Sequence, residues 1–161
     1  MVASEVDIFH PQPGAAAALA AALPGRRCRA VTDPAALLAR IPDLEVLIAP
    51  SLPPGPWDRA ERLRLVHALG AGVDGLLAVP PHVPIACARG LFAPEVGEHA
   101  WAMILALERR LPLALEQQRG RLWRPYSARS LAGRTLGVLG LGAIGRRVAR
   151  IGDAFGLRVI G

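Results

Sequence analysis

Two glycine clusters hold the residues of this chain best placed to do chemistry. One is Gly140-Leu-Gly142-Ala-Ile-Gly145, a G-x-G-x-x-G spacing that directly follows the apolar run Thr135-Leu-Gly-Val-Leu139. Gly140 permits a tight turn, Gly142 leaves the backbone open to an approaching group, and Gly145 lets a helix lie close to the strand. The N–H groups of Ala143 and Ile144, at the start of that helix, would meet an anion with help from the helix dipole. That chemistry suits the diphosphate of a dinucleotide. The spacing alone is a weak signal, but its context strengthens it. Ile144, Val148, Ile151 and Phe155 form one apolar stripe, with Arg146, Arg147, Arg150 and Asp153 on the wetter side. Gly156 closes the helix, and Leu157 to Ile160 begins another strand. A glycine-rich turn without a ligand is the weaker reading, because three glycines at this spacing cost chain entropy without improving packing.

The other cluster is Gly70-Ala71-Gly72-Val-Asp74, which turns at the C-terminal end of the strand-like run Leu65-Val-His-Ala-Leu69. Ligands of open parallel sheets bind beyond such strand ends. Gly70, Ala71 and Gly72 could hold a carboxylate through backbone N–H groups alone. On spacing, a plain turn capped by Asp74 is equally compatible.

Other reactive side chains carry less. Glu98 and His99 are helix neighbours that point away from each other and cannot act as a relay. Glu95-Val-Gly-Glu98-His99 nearly spells a zinc helix, but Glu95 stands where a histidine ligand is required, so no metal is expected. His67, on an apolar strand, is expected to be a hydrogen-bonded core histidine. His10 and His82 sit beside prolines without visible partners, and Arg89 is expected in a surface ion pair. Cys28 and Cys87 lack metal or redox spacing and read as buried reduced thiols.

The elements that must position the glycine clusters follow from apolar runs at Val6 to Phe9, Cys28 to Val31, Val46 to Ala49, Leu63 to Ala68 and Val83 to Ala88. Helix-prone stretches lie between them at Gly14 to Leu23, Pro34 to Ile41 with Asp33 as N-cap, and Trp57 to Arg62. This alternation predicts an α/β fold with a parallel sheet covered by helices on both faces. From Pro94 to Leu115 the pattern becomes one long helix, kinked at Pro112. A domain boundary is expected near Ala93, giving domains at 1–93 and 94–161.

The chain has 161 residues, 52% of them hydrophobic, and a formal charge of +6. All its basic residues are arginine, as in chains encoded by GC-rich genes, and they are scattered. Nucleic-acid binding is therefore not expected. Met1 to His10 lacks a signal pattern, and no apolar run is long enough to span a bilayer, so the expectation is no membrane and a cytoplasmic location.

Three segments in order, Leu63 to Leu77, Ala88 to Leu107 and Leu131 to Ala149, resemble the D-isomer-specific 2-hydroxyacid dehydrogenases. The resemblance runs from about Leu63 to Gly161, whereas the first 60 residues agree only in their βα pattern. It implies a flavodoxin-like substrate domain followed by the first β-α-β unit of a Rossmann domain, with NAD or NADP as cofactor. It also implies a small 2-hydroxy or 2-oxo acid as substrate. The substrate carboxylate maps onto Gly70, Ala71 and Gly72, and the cofactor onto Gly140, Gly142, Ala143, Ile144 and Gly145. The stretch around Trp123 resembles the family's dimerisation arm, which implies a homodimer. The family's catalytic arginine, histidine and carboxylate lie downstream of the fingerprint, so no catalytic residue is expected in this chain. Nor is the residue that separates NAD from NADP. The chain is therefore expected to be an N-terminal portion, inactive alone. The rival reading is a non-catalytic nucleotide-binding or interaction module.

Overall fold

The computed structural model describes residues 5–161. Met1 to Ser4, part of the stretch read for a targeting signal, lie outside them. The chain divides into two compact units, Met1–Arg89 and Gly90–Gly161. Sequence places the boundary near Ala93, and the observed division falls just ahead of it.

The first unit is built on a five-stranded sheet of β1 (Glu5–Phe9), β2 (Arg27–Val31), β3 (Val46–Ala49), β4 (Leu65–Ala68) and β5 (Ile85–Cys87). The order is β2-β1-β3-β4-β5 and every pairing is parallel. This is the flavodoxin-like doubly wound order. Val6 faces Cys28 on one side and Val46 on the other, and Ala68 faces Cys87. Strands β4 and β5 are shorter than their apolar runs. Pro84 has no N–H to give the ladder, so β5 starts only at Ile85. Leu63 and Val83 are buried from the flanking loops instead.

Helix α1 (Pro13–Ala21) starts on a proline and buries Ala16. Helix α2 (Pro34–Ala39) is capped as expected, with the Asp33 carboxylate accepting from the N–H groups of Ala35 and Ala36 at 3.3 and 3.0 Å. It ends before Ile41, since Pro42 has no N–H to continue the ladder, and a 3-10 turn covers Ile41–Asp43. The expected helix from Trp57 to Arg62 is only a 3-10 turn at Trp57–Arg59. Trp57 is buried there, its indole N–H donating to the Pro53 carbonyl at 2.9 Å.

The two faces of this sheet are covered unequally. On one, Leu37, Ile41, Leu44, Leu47, Trp57 and Val66 are the centre of a large core. On the other, a smaller core of Val6, Ile8 and Ala16 is bordered by half-buried Leu19, Leu23 and Ile48. There a trough of about 340 Å3 opens over Val46, Ile48, Leu65 and His67. Coverage of both faces is thus partial. His67 departs from expectation as well, since its buried Nδ1 has no hydrogen-bond partner among the described residues. Within β1, Asp7 is 1% exposed and bonded by Arg40 Nε at 2.7 Å.

The second unit contains α3 (Ala93–Glu108), α4 (Leu111–Arg119), β6 (Thr135–Gly137), α5 (Ala143–Ala154) and β7 (Arg158–Ile160). The long helix expected from Pro94 to Leu115 is two helices. It breaks at Arg110, whose φ of 54° is left-handed, and Pro112 lies in the first turn of α4 and kinks nothing. Strands β6 and β7 pair in parallel, Leu136 opposite Val159.

Helix α5 packs on α3 through small residues. A Cβ at Gly97 would lie 2.7 Å from Arg147 Cγ, and one at Gly152 would lie 2.8 Å from Leu136 Cδ2 and 3.3 Å from Trp101. Trp101 stacks on Phe155 at 5.0 Å and donates its indole N–H to the Val148 carbonyl at 3.0 Å. The contact therefore centres on Gly152, and the stripe residues Ile144 and Phe155 stay exposed.

Candidate cofactor and substrate sites

The fingerprint loop joins β6 to α5. Gly140 has φ +93°, a conformation that side chains rarely adopt. A Cβ at Gly145 would run into the Gly140 carbonyl oxygen and come within 3.2 Å of Val138 Cγ1, so the helix start lies directly on the turn. A Cβ at Gly142 would meet no protein atom within 4 Å. Nothing in the protein explains that glycine, which leaves open space in front of the backbone. Gly142 is the residue before the helix, and its carbonyl accepts from the Arg146 N–H at 2.9 Å. The N–H groups of Ala143 and Ile144 make no hydrogen bond among the described residues. They are the orphan donors of a helix start.

One contact in this loop is invisible in the residue pattern. Arg146, which the helical stripe places only on the wetter side, donates from Nη1 to the Leu141 carbonyl at 3.0 Å. It forms no ion pair among the described residues, whereas its neighbour Arg147 lies 3.7 Å from Glu98. Gly90, with φ +85°, also approaches the loop, since a Cβ there would lie 3.8 Å from Ala143 Cβ.

In the first unit, Gly70, Ala71 and Gly72 leave the C-terminal end of β4. The Gly70 carbonyl is tied down by the Ala88 N–H at 3.0 Å, while the N–H groups of Gly70, Ala71 and Gly72 bond nothing among the described residues. Ala71 and Gly72 are exposed. Asp74 opens a 3-10 turn at Asp74–Leu76 and makes no side-chain cap. Its Oδ2 would lie 3.4 Å from a Cβ on Gly72, so a carboxylate flanks one side of the turn.

His99 and Glu95 are exposed, and His10 has a partner after all, its Nδ1 accepting from the Gln12 N–H at 3.1 Å. Arg89 is exposed and, contrary to expectation, makes no ion pair among the described residues. Cys28 and Cys87 are free but only half-buried. Among the described residues no group of three His, Cys, Asp or Glu side chains could hold a metal ion, and no helix is long and apolar enough to cross a membrane.

Residues 101–161 match the family model for the NAD binding domain of D-isomer specific 2-hydroxyacid dehydrogenases. A glyoxylate reductase of Aeropyrum pernix is 37% identical over an alignment of 114 positions that covers 63% of this chain and 34% of that protein. The chain belongs to the D-isomer-specific 2-hydroxyacid dehydrogenase family. A D-3-phosphoglycerate dehydrogenase of Methanocaldococcus jannaschii is 31% identical over 78% of this chain and 25% of that protein. An NADPH-dependent glyoxylate/hydroxypyruvate reductase of Sinorhizobium meliloti, solved with NADP and sulfate, superposes with a TM-score of 0.77. It is 29% identical over 98% of this chain and 52% of that one. The chain thus spans about half the length of this solved relative and aligns with 34% and 25% of the two curated ones.

Membership makes the cofactor NAD or NADP. The fingerprint loop fits it on its own geometry: a glycine with vacant space before it, two unpaired N–H groups and a helix start in line behind them.

Proposed function

We propose that this chain supplies the substrate-binding unit and the leading part of the cofactor-binding unit of an enzyme that reduces small 2-oxo acids, or oxidises 2-hydroxy acids. When bound, the nicotinamide supplies or accepts the hydride. The chain's own contribution is binding and orientation. Ala143 and Ile144 offer their N–H groups to the diphosphate, with Gly140, Gly142 and Gly145 making room for it. Gly70, Ala71 and Gly72 offer theirs to the substrate carboxylate, without a cationic side chain.

The observation that carries this reading is that both loops, each at the C-terminal end of a parallel strand, keep backbone donors unpaired. Clustered backbone N–H groups with no partner in the protein suit an anionic ligand. The chain contributes no catalytic residue in this reading, and the 161 residues alone are expected to bind the cofactor weakly at best and without turnover. Two further features go with it. Trp123, 92% exposed, stands over a trough of about 470 Å3 lined by Gln118, Leu122, Pro125 and Tyr126. A second copy of the protein would cover it in a homodimer. A cytoplasmic setting, where nicotinamide pools and free thiols such as Cys28 and Cys87 coexist, suits the same chemistry.

The test is NADH and NADPH oxidation by the longest protein that contains this chain, offered glyoxylate, hydroxypyruvate, pyruvate and bulkier 2-oxo acids. Turnover with at least one of them is expected. Absence of turnover with all of them would count against the reading.

A further inference from the structure

We propose that Arg146 is a positioning residue for the cofactor diphosphate: it fixes the Leu141–Gly142 peptide and brings an uncompensated positive charge to the loop. The proposal rests on the reading that this loop holds NAD or NADP. The peptide bond between Leu141 and Gly142 is where the chain passes from turn to helix. Its rotation decides whether the N–H of Gly142 or the carbonyl of Leu141 faces an arriving anion.

Arg146 holds this segment from two directions. Its backbone N–H donates to the Gly142 carbonyl at 2.9 Å, which is an ordinary first helical bond. Its side chain then folds back and donates from Nη1 to the Leu141 carbonyl at 3.0 Å. A carbonyl oxygen already bonded to a guanidinium is turned aside and partly neutralised, so it no longer repels a phosphate. Glycine at 140 and 142 makes this peptide one of the freest in the chain, and a brace has most to do where the backbone is most free.

The charge adds to the geometry. Arg134 pairs with Glu108 and Arg147 approaches Glu98, but no carboxylate faces Arg146 among the described residues. A guanidinium has five donors, and only one of them is engaged here. Its charge therefore remains available to a dianionic neighbour.

The experiment is a titration of the full chain with NADH and separately with ADP-ribose, which carries the diphosphate but no nicotinamide. It follows the backbone amide shifts of Gly142 to Gly145 and runs at low and high salt. R146M keeps the aliphatic stem, and R146K keeps a charge and one donor. Arg146 is exposed, so both variants should melt where the parent does. R146M is expected to weaken both ligands about ten-fold, the effect of one charge-assisted hydrogen bond, and to lose much of the salt dependence. R146K is expected to recover part of the affinity. In the free protein, the Gly142 amide of R146M should exchange faster with solvent. Parent-like binding and salt dependence in R146M would overturn the proposal while leaving the cofactor reading intact. If the parent shows no saturable shift with either ligand, the proposal and that reading fall together.

Discussion

At Gly142 an added methyl group would meet no atom of the protein, whereas at Gly145 it would strike the Gly140 carbonyl oxygen. Two glycines of one fingerprint are therefore required for different reasons, and the difference is measurable. G145A should destabilise the second unit by about 1–3 kcal/mol, the usual cost of overpacking against atoms that cannot move. G142A sits at ordinary φ of −69°. Its loss as a helix N-cap and its gain in chain stiffness oppose each other, leaving stability within about 1 kcal/mol of the parent. It should nonetheless weaken cofactor binding. Thermal melts and NADH titration of both variants separate the cases, and a large loss of stability in G142A would show that its space is structural. The two packing geometries were legible in the sequence, because the spacing in its strand–turn–helix context tells which glycine turns and which lies against the helix start. The role of Arg146 was not, because its side chain reaches back to a carbonyl outside the helix, and helical periodicity says nothing about that. Gly90 was missed for a similar reason: its approach to Ala143 joins segments far apart in sequence.

Between α3 and α4 the chain passes through Arg110 at φ 54°, a conformation that costs a side-chain-bearing residue about 1–2 kcal/mol. The apolar periodicity continues across the break, so a pattern reading joins the two helices and gives Pro112 the blame. The structure puts Pro112 where proline is welcome, in a first helical turn, and puts the strain two residues earlier. R110G should relieve it. After the entropy cost of a glycine, a net gain of about 0.5–1 kcal/mol is expected, while the β-branched R110V should lose stability. Denaturant unfolding of the two variants tests the pair, and a stabilised R110V would refute this account. Elements whose signals are local were legible in the same way as the fingerprint. Asp33 before Pro34 announced the cap that α2 has. Trp57 to Arg62 did not form a helix because its start is held by a long-range need, the burial of Trp57, which no window of sequence displays. The strand order could be expected only through the family resemblance, since alternation predicts a parallel sheet but not which strands are neighbours.

Across the molecule, Arg29, Arg40, Arg62, Arg64, Arg134 and Arg147 stand within reach of carboxylates, pairs that cancel within the formal charge of +6 and leave its excess on other arginines. The densest group lies on the first sheet, where Glu5 and Asp7 of β1 meet Arg29 of β2 and Arg40 at the end of α2. Its two carboxylates differ in what they contribute. Glu5 is exposed at the surface, and its carboxyl is held below the ordinary value of 4.5 chiefly by the hydrogen bond from Arg29, with Arg40 adding to the effect. A carboxylate so lowered binds fewer protons folded than unfolded. Its stabilisation is therefore fully present above the ordinary value and is lost as pH falls through the lower folded value. Arg40, raised chiefly by its hydrogen bond to Asp7, stays charged throughout. Solvent screening keeps the Glu5 contribution small, so E5Q should only slightly flatten the acid limb of stability, seen in urea unfolding between about pH 5 and pH 3. Asp7 is the larger stake, since it is 1% exposed and Arg40 gives it contacts at 2.7 and 3.1 Å. Removing Arg40 leaves a buried charge with Arg29 only at 3.7 Å. R40A should therefore cost about 3 kcal/mol at neutral pH, at the low end for a broken buried pair. The double variant R40A/D7N should recover part of that loss, because the amide carries no charge to leave stranded. If R40A and R40A/D7N unfold at the same urea concentration, the loss comes from packing of the Arg40 stem and not from an unpaired Asp7.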